Sequence, residues 1–96
     1  MIRKVSYNSI FIYDKDGISV VFPALDGCLT CGRSEADAKL MAKDALKVWC
    51  DYRINDLHKT LLPKDLTVIE LNNWVKKHKD ILGKHKWKVK IIETII

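Results

Sequence analysis

Val21-Phe22-Pro23-Ala24-Leu25-Asp26-Gly27-Cys28-Leu29-Thr30-Cys31-Gly32-Arg33-Ser34-Glu35-Ala36-Asp37-Ala38 decides the fold, because a strand end, a corner, a short strand and a helix start follow one another within it. Proline has no backbone donor and a fixed φ, so Pro23 ends an edge-like strand and holds Phe22 extended. Asp26-Gly27 is a turn pair: aspartate bonds to nearby backbone, and glycine takes positive φ without steric penalty. Leu25, apolar in the middle of the corner, is expected to fold back onto the core. Ser34 caps the free amides of a helix, and Asp37, three residues on, stands where a capping-box acid belongs.

Upstream, Tyr7-Asn8-Ser9-Ile10-Phe11-Ile12-Tyr13 is rich in aromatic and β-branched residues, and Asp14-Lys15-Asp16-Gly17 after it is a hairpin turn. Ile18, Val20 and Phe22 alternate onto one face of the returning strand, and Cys28 to Cys31 makes a third. Downstream the period becomes helical. Ala38, Met41, Ala42, Ala45, Trp49 and Tyr52 recur on one face, widened by Leu46 and Val48, and this face is expected to cover the sheet. Lys39, Lys43 and Lys47 then point outward. The helix is expected to end near Asn55, with His58 to Pro63 as a connector.

Thr67-Val68-Ile69-Glu70 is a capping-box pattern, followed at helical spacing by Leu71, Trp74, Val75, His78, Ile81 and Leu82, with Gly83 as the stop. Trp87, Val89 and Ile91 alternate with Lys86, Lys88 and Lys90, the pattern of a strand with one wet face. This reading sends Trp87 to the core and the lysines to water, and Lys86 to Ile95 joins the sheet as a fourth strand. The predicted class is α+β: a three-stranded antiparallel meander covered by a helix, then a second short helix and a C-terminal strand.

Bulk properties narrow the function. Ninety-six residues, 48% hydrophobic, suit a single domain. No stretch has the ~18 apolar residues of a membrane span, and the basic start is not followed by a signal core. Three cysteines, an odd number, point to a reduced cytoplasmic protein. The net charge of +5 is uneven: residues 1–75 hold ten basic and ten acidic side chains, whereas 76–96 hold seven lysines against Asp80 and Glu93.

Tyr7 through Tyr52 resembles the HicB family of antitoxins from type II toxin-antitoxin (HicAB) systems. The residues that carry the resemblance are Asp14-Lys15-Asp16-Gly17, then Phe22-Pro23-Ala24-Leu25-Asp26-Gly27-Cys28-Leu29-Thr30-Cys31-Gly32, then Ser34-Glu35-Ala36-Asp37-Ala38, with Leu62-Pro63 like the proline that the family places after its helix. The resemblance implies a β-β-β-α-β domain similar to a truncated RNase H fold without catalytic acids. It divides the single domain 1–96 into a family-like core, 1–66, and a helix plus lysine-rich strand, 67–96. It also implies a task without catalysis: occluding a small HicA-like toxin that cleaves mRNA, with self-association as a homo-oligomer. Many relatives add a C-terminal unit that binds operator DNA, for which the segment from Thr67 is too short.

The remaining chemistry is weighed residue by residue. Cys28 and Cys31 have metal-like spacing, with Cys50 and His58 as further ligands, but an odd separation in a strand sends the sulfurs to opposite faces. Cys28 is read as a core residue, and no cofactor is expected. His58, His78 and His85 find no nucleophile or carboxylate at a suggestive spacing, so no catalytic group is assigned. Asp37, Asp44 and Asp51 recur every seven residues as a stripe along the first helix. With Asp14 and Asp16 they are the candidate contacts for a basic toxin, the alternative being a solvated helix face. Lys84, Lys86, Lys88 and Lys90 are the candidate contacts for nucleic acid, including DNA, the alternative being an edge guarded against aggregation. Phe22, Pro23, Asp26, Gly27, Cys28, Gly32 and Ser34 are structural.

Overall fold

Alternating burial along β1 (Lys4–Asp14) makes it the centre of the molecule: Val5, Tyr7, Ser9 and Phe11 are buried on one face. The computed structural model describes residues 3–58 and 61–96. β1 turns at Asp14, opposite Gly17, into β2 (Gly17–Val21), which pairs in turn with β3 (Leu29–Gly32). On its other side β1 pairs with β4 (Lys86–Ile95), from Lys4 opposite Ile95 to Tyr13 opposite Lys86. The sheet is antiparallel, in the order β3-β2-β1-β4. β2 is therefore an interior strand, not the edge-like one that Pro23 suggested. Proline is tolerated because β2 ends at Val21, two residues before it.

The corner forms as its residues dictate. The Leu25 amide donates to the Phe22 carbonyl, the Cys28 amide to Leu25, and the Phe22 amide to Cys28. Gly27 takes φ 79°, and Leu25 is buried in the core. Ser34 Oγ accepts from the Asp37 amide at 3.1 Å, and Asp37 Oδ2 accepts from the Arg33 amide, one residue ahead of the cap. α1 (Glu35–Asp51) starts there and lies on the sheet.

The buried stripe of α1 is Ala38, Ala42, Leu46 and Cys50, joined in one cluster with Val5, Tyr7, Phe11, Ile18, Val20, Phe22, Leu25, Cys28 and Ile92. Ala45 and Trp49 are half-buried against this cluster, but Met41, Val48 and Tyr52, expected in the core, are exposed. α1 carries apolar residues around most of its circumference, so the sheet selects the phase that brings small residues to the closest approach. That approach is tightest at Gly32, where a Cβ would stand 2.5 Å from Ala38 Cα. The helix runs on into a π-helical turn, Tyr52–Asp56, close to the expected end.

Lys59 and Thr60, within the expected connector, and Met1 and Ile2 lie outside the described residues. Beyond them the chain runs beside the first half of β1, where β2 no longer reaches: the Tyr7 hydroxyl donates to the Pro63 carbonyl, and Asp65 Oδ2 accepts from the Asn8 amide and side chain at 2.8 Å. The Thr67 capping box opens α2 (Val68–Lys77), and α3 (Lys79–Leu82) follows. Trp74 and His78 stack, 3.8 Å between ring centroids, yet α2 has no buried residue. Gly83 does not end the helix in left-handed geometry; its φ is −68° and its amide bonds to Lys79.

β4 reverses one expectation. Lys86, Lys88 and Lys90 share their face with buried Ile92, on the α1 side, whereas Trp87, Val89 and Ile91 lie on the opposite face, which they share with fully buried Ile10. Ile92 and Phe11, not Trp87, supply the apolar contact with the core here.

Candidate functional site

α1 carries charge of opposite sign along its two exposed flanks. At 3.6 residues per turn, Asp37, Met41, Asp44, Val48 and Asp51 fall within an arc of roughly 80°. This flank faces β3. Asp37 and Met41 line a cleft of about 430 Å³ with Asp14, Asp16, Cys31 and Arg33. Asp44, Val48 and Trp49 line a second, of about 290 Å³, with Gly27 and Leu29. The structure thus brings Asp14, Asp16 and Asp37 around one depression and Asp44 to the next, while Asp51 lies further along and pairs with Lys47 at 2.9 Å. Asp14 accepts from the Lys15 amide, and Asp37 is engaged at the cap. Among the described residues Asp16 and Asp44 have no partner within the chain, so their carboxylates are the freest to meet another molecule.

Sequence reasoning missed the apolar half of this flank. Met41 and Val48 had been assigned to the core, yet they stand in water between the acids, Val48 60% exposed. The signal that could have found them is the surplus of apolar residues on α1: one side of the sheet cannot cover Leu40, Met41, Val48 and Tyr52 as well as the small residues of the buried stripe.

The other flank is basic. Lys43 lines a cleft with Lys4, Glu93 and Thr94, and Lys39 is on the same flank, above Glu35. Glu35 is the hub here: Tyr13 donates its hydroxyl to Oε2 at 2.9 Å and the Lys90 ammonium pairs with Oε1. The Lys90 bond, then the Tyr13 bond, hold the Glu35 carboxyl below its ordinary range. Burial and the bond to Glu35 push Tyr13 up to about 12. Lys88 lies over the Tyr13 ring, 5.9 Å from its centroid. Of the candidate nucleic-acid contacts, Lys90 is thus engaged and Lys88 half-occupied, while Lys84 and Lys86 are exposed.

The three cysteines do not form one group: Cys28 and Cys50 share the buried core, and Cys31 lies outside it. Cys28 is buried with Sγ 3.8 Å from the Ala45 carbonyl, Cys50 is buried in the core, and Cys31 is exposed. Burial, then the Cys50 thiol, push Cys28 up to about 11. His58 is exposed on a residue with φ 54°. Among the described residues no group of three or more His, Cys, Asp or Glu side chains is placed to hold a metal, and no helix is long and apolar enough to cross a membrane.

These flanks compose an acidic and a basic surface on either side of α1, and comparison with solved structures gives the fold a relation. The chain superposes on a chain of a toxin-antitoxin complex from Streptococcus pneumoniae with TM-score 0.75 and 19% identity, over 96% of this chain and 69% of the other. It matches a chain of the HicA3 and HicB3 toxin-antitoxin complex with TM-score 0.66 and 20% identity, over 94% and 98%. It matches the N-terminal domain of the antitoxin HicB from Burkholderia pseudomallei with TM-score 0.61 and 19% identity, over 90% and 95%. The fold is that of a HicB N-terminal domain. No protein-family model and no curated protein matches the sequence.

Proposed function

We propose that this chain is an antitoxin of the HicB family that binds and occludes a small HicA-like toxin, blocking mRNA cleavage without performing chemistry itself. The observation that carries this reading is the likeness, across almost the whole chain, to chains of two toxin-antitoxin complexes. The acidic flank of α1 supports it in detail. Carboxylates around apolar Met41 and Val48 suit a basic partner, since charge complementarity steers encounter while apolar anchors hold the complex. In this reading Asp14, Asp16, Asp37, Asp44 and Asp51 face the toxin, and the protein acts in the cytoplasm as one domain with its thiols reduced.

The test is inhibition of a purified HicA-like ribonuclease. Excess chain should abolish RNA cleavage, and the double reversal Asp16→Lys and Asp44→Lys should weaken inhibition at least about tenfold, the scale of lost interfacial charge pairs. Both side chains lack partners in the fold, so the variant should melt like the parent. A ribonuclease that stays fully active in excess of the chain overturns the reading.

A second reading is favoured by one observation: the β4 lysines face the α1 side, where Lys39 and Lys43 extend the basic surface. Such a surface suits phosphates of DNA or RNA. It requires binding whose logarithm falls linearly with log salt and is lost on Lys84→Glu, Lys86→Glu and Lys88→Glu together. Salt-independent binding removes it.

A further inference from the structure

β3 is a free edge of the sheet, and its register with β2 fixes which of its groups are left unpaired. The Phe22 amide bonds to the Cys28 carbonyl, and bonded pairs alternate with non-bonded ones along an antiparallel ladder. Thr30 opposite Val20 and Gly32 opposite Ile18 therefore bond to β2, whereas Leu29 and Cys31 aim their N–H and C=O groups outward. Among the described residues no backbone bond outside the ladder reaches Leu29 or Cys31. The strand contains no lysine, proline or inward charge, the usual guards of an edge.

α1 runs back along this edge and leaves a cleft at each end of it. At the Gly32 end, Asp37 and Met41 of α1 meet Asp14, Asp16 and Arg33; at the Cys28 end, Asp44, Val48 and Trp49 meet Gly27 and Leu29. The first cleft sets three carboxylates against one guanidinium, and in the second Asp44 is the charged group. Each thus joins an apolar wall to a carboxylate, which suits lysine or arginine: the stem lies on the wall and the charged head reaches the acid.

The two clefts are spaced to a strand. Cys28, Thr30 and Gly32 share the α1 face of β3 with the core residues Phe22, Val20 and Ile18. Residues of an added strand that stand opposite those three share that face too. Cys28 and Gly32 are about 13 Å apart at the rise of a strand, and Met41 and Val48 about 10 Å apart at the rise of a helix. Positions i and i+4 of an added strand therefore reach the two clefts, with i+2 against Thr30, and the spacing reads the same in either chain direction. The geometry points to an extended basic segment of the toxin as the occupant of this edge, bonded through its backbone to Leu29 and Cys31, with cationic side chains at i and i+4 seated beside Met41 and Val48. This rests on the reading of the chain as an antitoxin, and it names the part of the toxin that is gripped.

The probe is a fluorescent valine–threonine peptide with two lysines four positions apart, compared by anisotropy with one whose lysines are three apart and so face opposite sides of a strand. The first should bind the full chain at least about tenfold more tightly, and it should slow hydrogen exchange of the Leu29 and Cys31 amides, which contact through charge alone would not do. Leu29→Pro removes one outward donor without touching the ladder to β2, so it should keep the parent's Tm and lose the peptide. Equal binding of the two peptides, binding of neither, or unchanged exchange at Leu29 and Cys31 overturns the proposal in the parent chain itself, whatever Leu29→Pro does to folding. Ribonuclease inhibition by a chain that binds neither peptide would remove this groove and leave the antitoxin reading standing; peptide binding without inhibition would remove that reading instead.

Discussion

Replacing Gly32 by alanine tests the packing on which the whole arrangement depends. A Cβ on Gly32 meets the Cα and N of Ala38 at 2.5 Å and its Cβ at 3.0 Å. Carbon atoms rest about 3.5–4.0 Å apart, so β3 and α1 must part by roughly 1 Å. A gap of that size forfeits a quarter to a half of the local dispersion energy, in the cluster that contains Ala38, Ala42 and Val20. Overpacking costs about 1–3 kcal/mol. Because the obstruction is backbone, which cannot rotate aside, Gly32→Ala should fall at the upper end, about 3 kcal/mol. For a domain of this size that corresponds to a drop in Tm of ~12–24 °C. Urea melts followed by far-UV circular dichroism and tryptophan fluorescence give the loss at constant m. Adding Ala38→Gly should not restore stability, since the closest clashes are with Cα and N. Gly27→Ala is the comparison: nothing lies within 4 Å of its Cβ, but φ 79° costs a residue about 1–2 kcal/mol. A loss below about 1 kcal/mol for Gly32→Ala, or full rescue by Ala38→Gly, refutes the close approach.

Two further perturbations examine the helix and the Glu35 hub. Leu46→Ala, at 0% exposure, should cost about 2–5 kcal/mol in the same urea assay, whereas exposed Val48→Ala should stay within about 0.5; equal losses would mean the helix phase is wrong. Glu35 binds its proton more weakly folded than unfolded, so its contribution is present above the ordinary value of 4.5 and is lost as pH falls through the lower folded value. Lys90→Met should therefore flatten the fall in stability below that pH, and superimposable acid limbs for parent and variant would exclude the bond as a contributor.

The local chemistry of the chain was legible, and its choice of faces was not. Pro23, Leu25, Gly27, Ser34 and Thr67 each act through their own backbone or their nearest amides, so turn, cap and corner followed from residue type alone. The phase of α1 depends on the sheet, which takes the stripe of Ala38, Ala42, Leu46 and Cys50; reading Cys50 as a possible ligand hid its place in that stripe. On β4, regular lysines look like a solvent face, but the strand's period continues through Ile92, and one buried residue outweighs three flexible ammonium stems that can reach out along the sheet. Of the acidic flank, the carboxylates were visible as a seven-residue repeat. Their joining with Met41 and Val48, and the Tyr13–Glu35–Lys90 hub, are made by elements distant in sequence and leave no local spacing to read.

The carboxylate of Asp65 also acts as a lock. Residues 4–9 of β1 have β4 on one side and no strand on the other, a notch with the geometry of a vacant sheet position. By taking the Asn8 amide, Asp65 fills one of the notch's donors and confronts any invading strand with a charge it would have to strip of water. Removing that charge, as in Asp65→Ala, should leave the Asn8 amide open to an added strand, and growth of larger species on standing is the sign of it.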